Sequence, residues 1–252
     1  MQKASSRDGT AIAFDRVGNG PPVILVVGAF NDRMKGAPLA AFLSPGFTVF
    51  TYDRRGRGDS GDSANYAVER EIEDLDAVIH AAGGSAFVMG YSSGAVLALQ
   101  AAARGVAITK LALYDAPPVQ LAEHANSLAE LVLAGHRGAA VEYFQTRVVG
   151  IPAHVVEQLR NAPFRPALEA MAHTLVYDAT IMSEARLTAE QGANIRQPTL
   201  AIAGGAGPAF MRENSAAIAA SLPNARAVTL EGETHEIVPE VLGPVLRRFF
   251  VE

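Results

Sequence analysis

The chain has 252 residues, 49% of them hydrophobic and 19% charged, which suits one α/β domain with a full core and rules out a disordered or fibrous protein. Its net charge of −5 argues against nucleic acid or an anionic membrane as main partner, because both need a basic surface to displace counterions. With no cysteine there is no disulfide, thiolate nucleophile, iron–sulfur cluster or Cys-ligated zinc.

The opening MQKASSRDGT lacks an apolar signal core, and no apolar run approaches the roughly 20 residues of a membrane helix. A cytoplasmic protein without a membrane span is expected. Thr10 to Val17 reads as a strand after the Asp8-Gly9 turn. The break Gly18-Asn19-Gly20-Pro21-Pro22 leads into Val23 to Val27, a β-rich run of the kind buried on both faces. A helix is predicted from Pro38 to Leu43, a strand from Phe47 to Tyr52 and a charged loop from Asp53 to Ser63. The next helix, Ala67 to Ala82, carries Val68, Ile72, Leu75 and Ile79 as one apolar stripe. Ala86 to Met89 is a strand, Ser93 to Ala103 a helix of small residues, and Lys110 to Tyr114 another strand.

From Pro117 to Arg196 no strand pattern is present. Helices are expected over Val119 to Ala134, Ala139 to Val149, Ala153 to Asn161 and Pro166 to Ser183. After Gln197-Pro198 the alternation resumes with strand Thr199 to Ala203, helix Ala209 to Leu222, strand Ala227 to Leu230 and helix Pro239 to Phe250. Alternating strands and helices imply a mostly parallel α/β sheet. The expected division is a core domain of residues 1–116 and 197–252, with 117–196 inserted as a helical cap, long for a mere connection.

Gly90-Tyr91-Ser92-Ser93-Gly94 is a G-x-S-x-G lying between a strand and a helix, the setting a nucleophile elbow requires. Ser92 is the candidate nucleophile, and Ser93 is expected to present its backbone N–H. A serine hydroxyl needs a general base. Of six histidines, His80, His124, His136, His154 and His173 fall in helical segments, whereas His235 lies in the loop between the last strand and the last helix. That order puts His235 at the carboxyl edge of the sheet, where α/β sites gather. Gly56-Arg57-Gly58-Asp59-Ser60-Gly61 satisfies G-x-G-x-x-G but enters a polar stretch, so no dinucleotide is expected. Neither H-e-x-x-H nor another metal-ligand spacing occurs, and no metal or cofactor is expected.

With Val26-Val27-Gly28-Ala29-Phe30, the Tyr52 to Ser60 loop, the Gly90 to Gly94 elbow and a late His235, the chain resembles the α/β-hydrolase superfamily along nearly its whole length. The resemblance implies a doubly wound, eight-stranded, mostly parallel α/β sheet with the helical insertion as a cap over the site. It also implies an oxyanion hole from the backbone N–H groups of Phe30 and Ser93, with Ala29 as the alternative donor. The family's usual acid after the seventh strand is missing from Ala201 to Pro208. Some members carry it after the sixth strand, which here gives Asp115. Asp178, Glu213, Glu233 and Glu236 remain alternatives.

The implied activity is a cofactor-independent serine hydrolase with Ser92, His235 and Asp115 as triad, acting on a small-molecule ester, lactone or thioester. Ala29, Tyr91, Phe144, Met171, Tyr177 and Met182 are expected in the substrate pocket, with Leu131, His173, Leu175 and Ile181 as further wall residues. Carbon–carbon bond hydrolysis or a cofactor-free oxygenase or perhydrolase reaction is the alternative on the same scaffold. A non-catalytic ligand-binding protein is the third reading, and a monomer or homodimer is expected.

Overall fold

The β-rich runs become strands of one sheet in the computed structural model, which describes residues 1–252. The strands are β1 (Gln2–Ser5), β2 (Ala11–Val17), β3 (Pro22–Val26), β4 (Thr48–Tyr52), β5 (Ala86–Tyr91), β6 (Ile108–Tyr114), β7 (Thr199–Gly204) and β8 (Ala225–Leu230). Their spatial order is β1-β2-β4-β3-β5-β6-β7-β8. The β1–β2 and β2–β4 pairs are antiparallel and the rest parallel. The sequence pattern does not mark β1 as a strand. Only Ala4 of its four residues is buried, so no apolar alternation announces this edge.

Helices cover both faces. They are α1 (Ala37–Leu43), α2 (Val68–Ala81), α3 (Ser93–Ala103), α4 (Glu123–Leu133), α5 (Arg137–Tyr143), α6 (Ala153–Gln158), α7 (Arg165–Ala170), α8 (Thr174–Ser183), α9 (Ala189–Asn194), α10 (Ala209–Ser221) and α11 (Pro239–Val251). Because successive strand residues point to opposite faces, the core divides in two. Ile24, Val26, Val88, Leu111 and Leu113 pack on the face that holds α2 and α3. Val23, Leu25, Met89, Ala112 and Tyr114 pack with residues of α1 and α11 on the other.

Residues between β6 and β7 contain α4 to α9 and no strand. The predicted helix Pro166 to Ser183 is broken into α7 and α8. At the break the Arg137 guanidinium donates to the carbonyls of Glu169 (3.2 Å) and Ala170 (2.7 Å), satisfying acceptors that a continuous helix would have used internally. The predicted segment Ala139 to Val149 is α5 followed by one π turn, Phe144–Val148. Helix α9 was not expected, although Thr188 and Gln191 form a reciprocal capping box that the sequence spells out. No helix is long and apolar enough to cross a membrane.

Candidate active site

Strand β3 pairs with β4 on one side and β5 on the other, so the chain reverses its direction of winding there. In open α/β sheets the crevice at the carboxyl ends of such strands is where ligands bind. Three non-glycine residues have positive φ, namely Phe30 (61°), Ser92 (56°) and Asp115 (46°), and they follow β3, β5 and β6. Backbone of this kind is costly for a residue with a Cβ and persists where the surroundings enforce it, commonly at functional sites.

Ser92 is forced into φ 56°, ψ −129° by the tight passage from β5 to α3. A Cβ on Gly90 would come within 2.5 Å of Ala95 Cα, and one on Gly94 within 2.3 Å of the Val26 carbonyl oxygen. Only glycine lets the turn pack so closely on its neighbours. The Ser92 N–H donates to the Tyr114 carbonyl (2.9 Å), tying the elbow to β6.

His235 meets Asp115 through Nδ1 and Oδ2 at 3.0 Å. Asp115 is 1% exposed, and its other oxygen accepts the Gly204 N–H at 3.0 Å. With the Nδ1 proton held by the carboxylate, Nε2 is left as the basic nitrogen. The Tyr114 hydroxyl reaches the carbonyls of Thr234 (2.7 Å) and Glu236 (3.0 Å), which bracket the histidine, and the Tyr91 ring lies 4.9 Å from the imidazole. A Cβ on Gly204 would stand 2.4 Å from the Thr234 carbonyl oxygen, so close approach of the histidine loop leaves that position to glycine.

The N–H groups of Phe30 and Ser93 have no acceptor within the chain. Gly28 brings the Phe30 loop against the elbow, since a Cβ there would lie 2.7 Å from Ser92 Cβ and 3.2 Å from its Oγ. Buried Arg57 donates to the carbonyls of Gly28 (2.6 Å) and Asn31 (3.2 Å), and the Asn31 carboxamide closes the loop onto the Ala29 carbonyl (2.6 Å).

Asp178, weighed from the sequence as an alternative acid, is fully buried away from the histidine. Its carboxylate accepts from the Ser93 hydroxyl (2.7 Å), Arg54 (2.8 Å) and Arg57 (2.6 Å). Burial pushes its pKa up, but Arg57 and Arg54, with the Ser93 hydroxyl, hold it below the ordinary carboxylate value. Arg54 also forms a bidentate pair with Glu71 of α2 (2.6 and 2.8 Å). This ionic cluster joins α8 to both loops that carry the free N–H groups, a role that spacing along the chain does not signal. Of the other carboxylates, Glu236 lines the cavity and is ion-paired with Lys35.

A cavity of about 380 Å³ opens between these loops and the helical insertion, with Ser92, Ser93, Phe30 and His235 in its wall. Of the residues named from the sequence for a substrate pocket, Ala29, Tyr91, Phe144 and Met182 line this cavity. Met171 and Tyr177 do not. Met171 sits in the turn between α7 and α8, while Tyr177 stacks on Tyr66 (3.8 Å) and its hydroxyl meets Asp62 (3.1 Å). Leu131, His173, Leu175 and Ile181 are likewise outside the lining. Helix α8 turns Asp178 toward the arginines and lends the wall Met182 alone, while the π turn supplies Phe144, Gln145 and Val148 and α10 supplies Phe210 and Met211. No group of three or more His, Asp or Glu stands together as a metal site.

The model of the alpha/beta hydrolase family matches residues 23–241. An alpha/beta hydrolase from Sphaerobacter thermophilus DSM 20745 is 51% identical, with a TM-score of 0.91 and 99% and 100% of the two chains covered. A pimeloyl-[acyl-carrier protein] methyl ester esterase of Xanthomonas campestris pv. campestris (strain B100) is 27% identical over 234 residues, 88% of this chain and 90% of that one. The enol-lactonase from Burkholderia xenovorans LB400 has the same fold, with a TM-score of 0.75, 22% identity and 99% and 100% coverage.

Proposed function

The chain belongs to the alpha/beta hydrolase family, and we propose that it is a cofactor-independent serine hydrolase that cleaves a carboxylic ester, lactone or thioester through an acyl-enzyme. One observation carries this reading. Phe30, Ser92 and His235 line one cavity, and Asp115, which like Phe30 and Ser92 is a strained non-glycine residue, holds His235 through Nδ1.

In the proposed reaction Ser92 attacks the carbonyl carbon while His235 Nε2 removes the hydroxyl proton. Asp115 holds the imidazole by Nδ1 and stabilises the imidazolium that forms. The carbonyl oxygen becomes an oxyanion held by the N–H groups of Phe30 and Ser93, which already lack internal partners and so need no rearrangement. Collapse of this intermediate breaks the bond to the leaving alkoxide or thiolate, which takes the proton from His235. Water then attacks the acyl-enzyme by the same steps, with His235 as base and Ser92 as leaving group. The helical insertion acts as the cap, and its largely apolar side of the cavity favours a small acyl or alcohol group.

The esterase relatives support the reaction class, and the ordered Ser, Asp, His constellation supports the assignment of roles. A fluorophosphonate probe tests it. Wild type is expected to be labelled and Ser92→Ala not, with Ser92→Ala losing essentially all p-nitrophenyl butyrate turnover while retaining its fold by circular dichroism. Labelling elsewhere, or turnover that survives Ser92→Ala, would refute the nucleophile. The latter would favour a reaction that uses His235 alone as base.

A further inference from the structure

Four charged side chains are buried behind the two segments that carry the free N–H groups. Arg54, Arg57, Glu71 and Asp178 are each at most 2% exposed, and ion pairs link Glu71 to Arg54, Arg54 to Asp178 and Asp178 to Arg57. Taking charges out of water is costly, and apolar side chains of similar volume often stabilise a fold as well or better. Stability alone is therefore a weak reason for this cluster, and its geometry shows what else it does.

Asp178 is the member that comes from the helical insertion, and its two oxygens reach in different directions. Oδ1 accepts from the Ser93 hydroxyl (2.7 Å) and from Arg54 (2.8 Å), whereas Oδ2 accepts from Arg57 Nη2 (2.6 Å). Ser93 bears one free N–H. Arg57 uses its other terminal nitrogen, Nη1, to hold the carbonyls of Gly28 (2.6 Å) and Asn31 (3.2 Å), which flank Phe30, the bearer of the other. One carboxylate thus spans both donor segments, directly on the Ser93 side and through a single guanidinium on the Phe30 side. The insertion touches the second donor residue independently, since Phe144 packs edge-on against Phe30 at 5.3 Å between ring centres.

We infer that Asp178 is a positioning residue whose carboxylate holds the Ser93 and Phe30 N–H groups at the spacing an oxyanion requires, so that the helical insertion sets the oxyanion hole as well as covering the cavity. This rests on the serine hydrolase reading of the site. The oxyanion exists only in the transition state and the tetrahedral intermediate. Donors moved out of place therefore cost rate and leave ground-state binding alone, and a small misplacement caused from outside the reacting atoms is enough.

The test breaks the bridge in two ways. Ser93→Ala removes the hydroxyl that Asp178 holds and keeps the backbone N–H and both arginine pairs. Asp178→Asn sets an NH₂ against one of the arginines, donor against donor, whichever way the amide turns. Turnover of p-nitrophenyl butyrate is expressed per Ser92 titrated to completion with a fluorophosphonate, so that misfolded protein does not count. Inhibition is compared for 1,1,1-trifluoro-2-octanone and 2-octanone. The Ser92 hydroxyl adds to the carbonyl of the first, giving a hemiketal oxyanion with the proton on His235, while the second binds without addition. Each variant is expected to lose about tenfold or more in kcat/KM per titrated site. The Ki of the trifluoromethyl ketone is expected to rise by about the same factor, with that of 2-octanone within about twofold of wild type.

The inference is overturned if either folded variant loses less than this, or if 2-octanone weakens as much as the trifluoromethyl ketone, since the pocket itself would then have changed shape. Should Asp178→Asn fail to fold, Ser93→Ala decides alone; should Ser93→Ala also fail to fold, the carboxylate is a brace for the fold and the inference is overturned. Labelling and ordinary turnover in wild type with no loss in the variants would remove this inference alone. Absence of labelling and of all ester turnover in wild type would remove the proposed function with it.

Discussion

Replacing Asp115 by Asn preserves the residue's shape and its left-handed backbone, which Asn tolerates as well as Asp does. The hydrogen bonds around it then decide the outcome. One oxygen of Asp115 accepts the Gly204 N–H at 3.0 Å and the other faces His235 Nδ1 at 3.0 Å. An Asn must turn its oxygen to the buried Gly204 N–H, because its NH₂ there would set donor against donor. The NH₂ therefore faces Nδ1 and makes that nitrogen the acceptor. The proton moves to Nε2, which can no longer take the serine proton. Loss of the correct tautomer lowers kcat by about 10⁴ in triads of this type, equivalent to about 5.4 kcal/mol of barrier. The assay is steady-state turnover of p-nitrophenyl butyrate at neutral pH, paired with the rate of fluorophosphonate labelling and a thermal melt. Turnover and labelling are expected to fall together while the melting temperature stays near that of wild type. An Asp115→Asn protein that kept about a tenth of wild-type kcat would refute the orientation argument and the acid assignment, since the expected loss is about 10⁴.

Gly28→Ala would place a Cβ 2.7 Å from Ser92 Cβ and 3.0 Å from the Tyr91 carbonyl oxygen, pushing the oxyanion loop off the elbow. The expected result is a fall in kcat of about 10²–10³, the worth of one oxyanion donor, with far-UV circular dichroism unchanged; kcat within twofold of wild type would count against the loop's role. Asp178→Ala leaves Arg54 and Arg57 buried without their shared carboxylate. It is expected to lose about 3–5 kcal/mol of stability and about 10 °C in melting temperature by calorimetry. Because Asp178 titrates below its ordinary value, its contribution is complete above the unfolded-state pKa of about 4 and is lost as pH falls through the folded value. Wild-type melting temperature is therefore expected to drop below about pH 4, with a shallower drop in Asp178→Asn.

Much of this protein was open to reading along the chain because the relevant signals are local. The G-x-S-x-G between a strand and a helix marks Ser92, and the place of His235 after the last strand follows from order alone. Buried strands advertise themselves as apolar runs because both of their faces are covered. The exposed edge strand Gln2–Ser5 carries no such signal. The break after Ala170 was invisible for a different reason, since the group that satisfies it, Arg137, comes from another helix.

What only the folded molecule decided are relations between residues far apart in sequence. Asp115 and His235 are 120 positions apart, and only the fold brings that carboxylate to the imidazole. Asp178 looks like a candidate acid by type, yet two arginines and a serine from other segments claim it first. The pocket wall differs from the helical pattern because amphipathicity shows that a helix has a buried face, not which neighbour covers it. Local chemistry thus points to the proposed nucleophile and base, whereas packing selects among the candidate acids and sets the cavity lining.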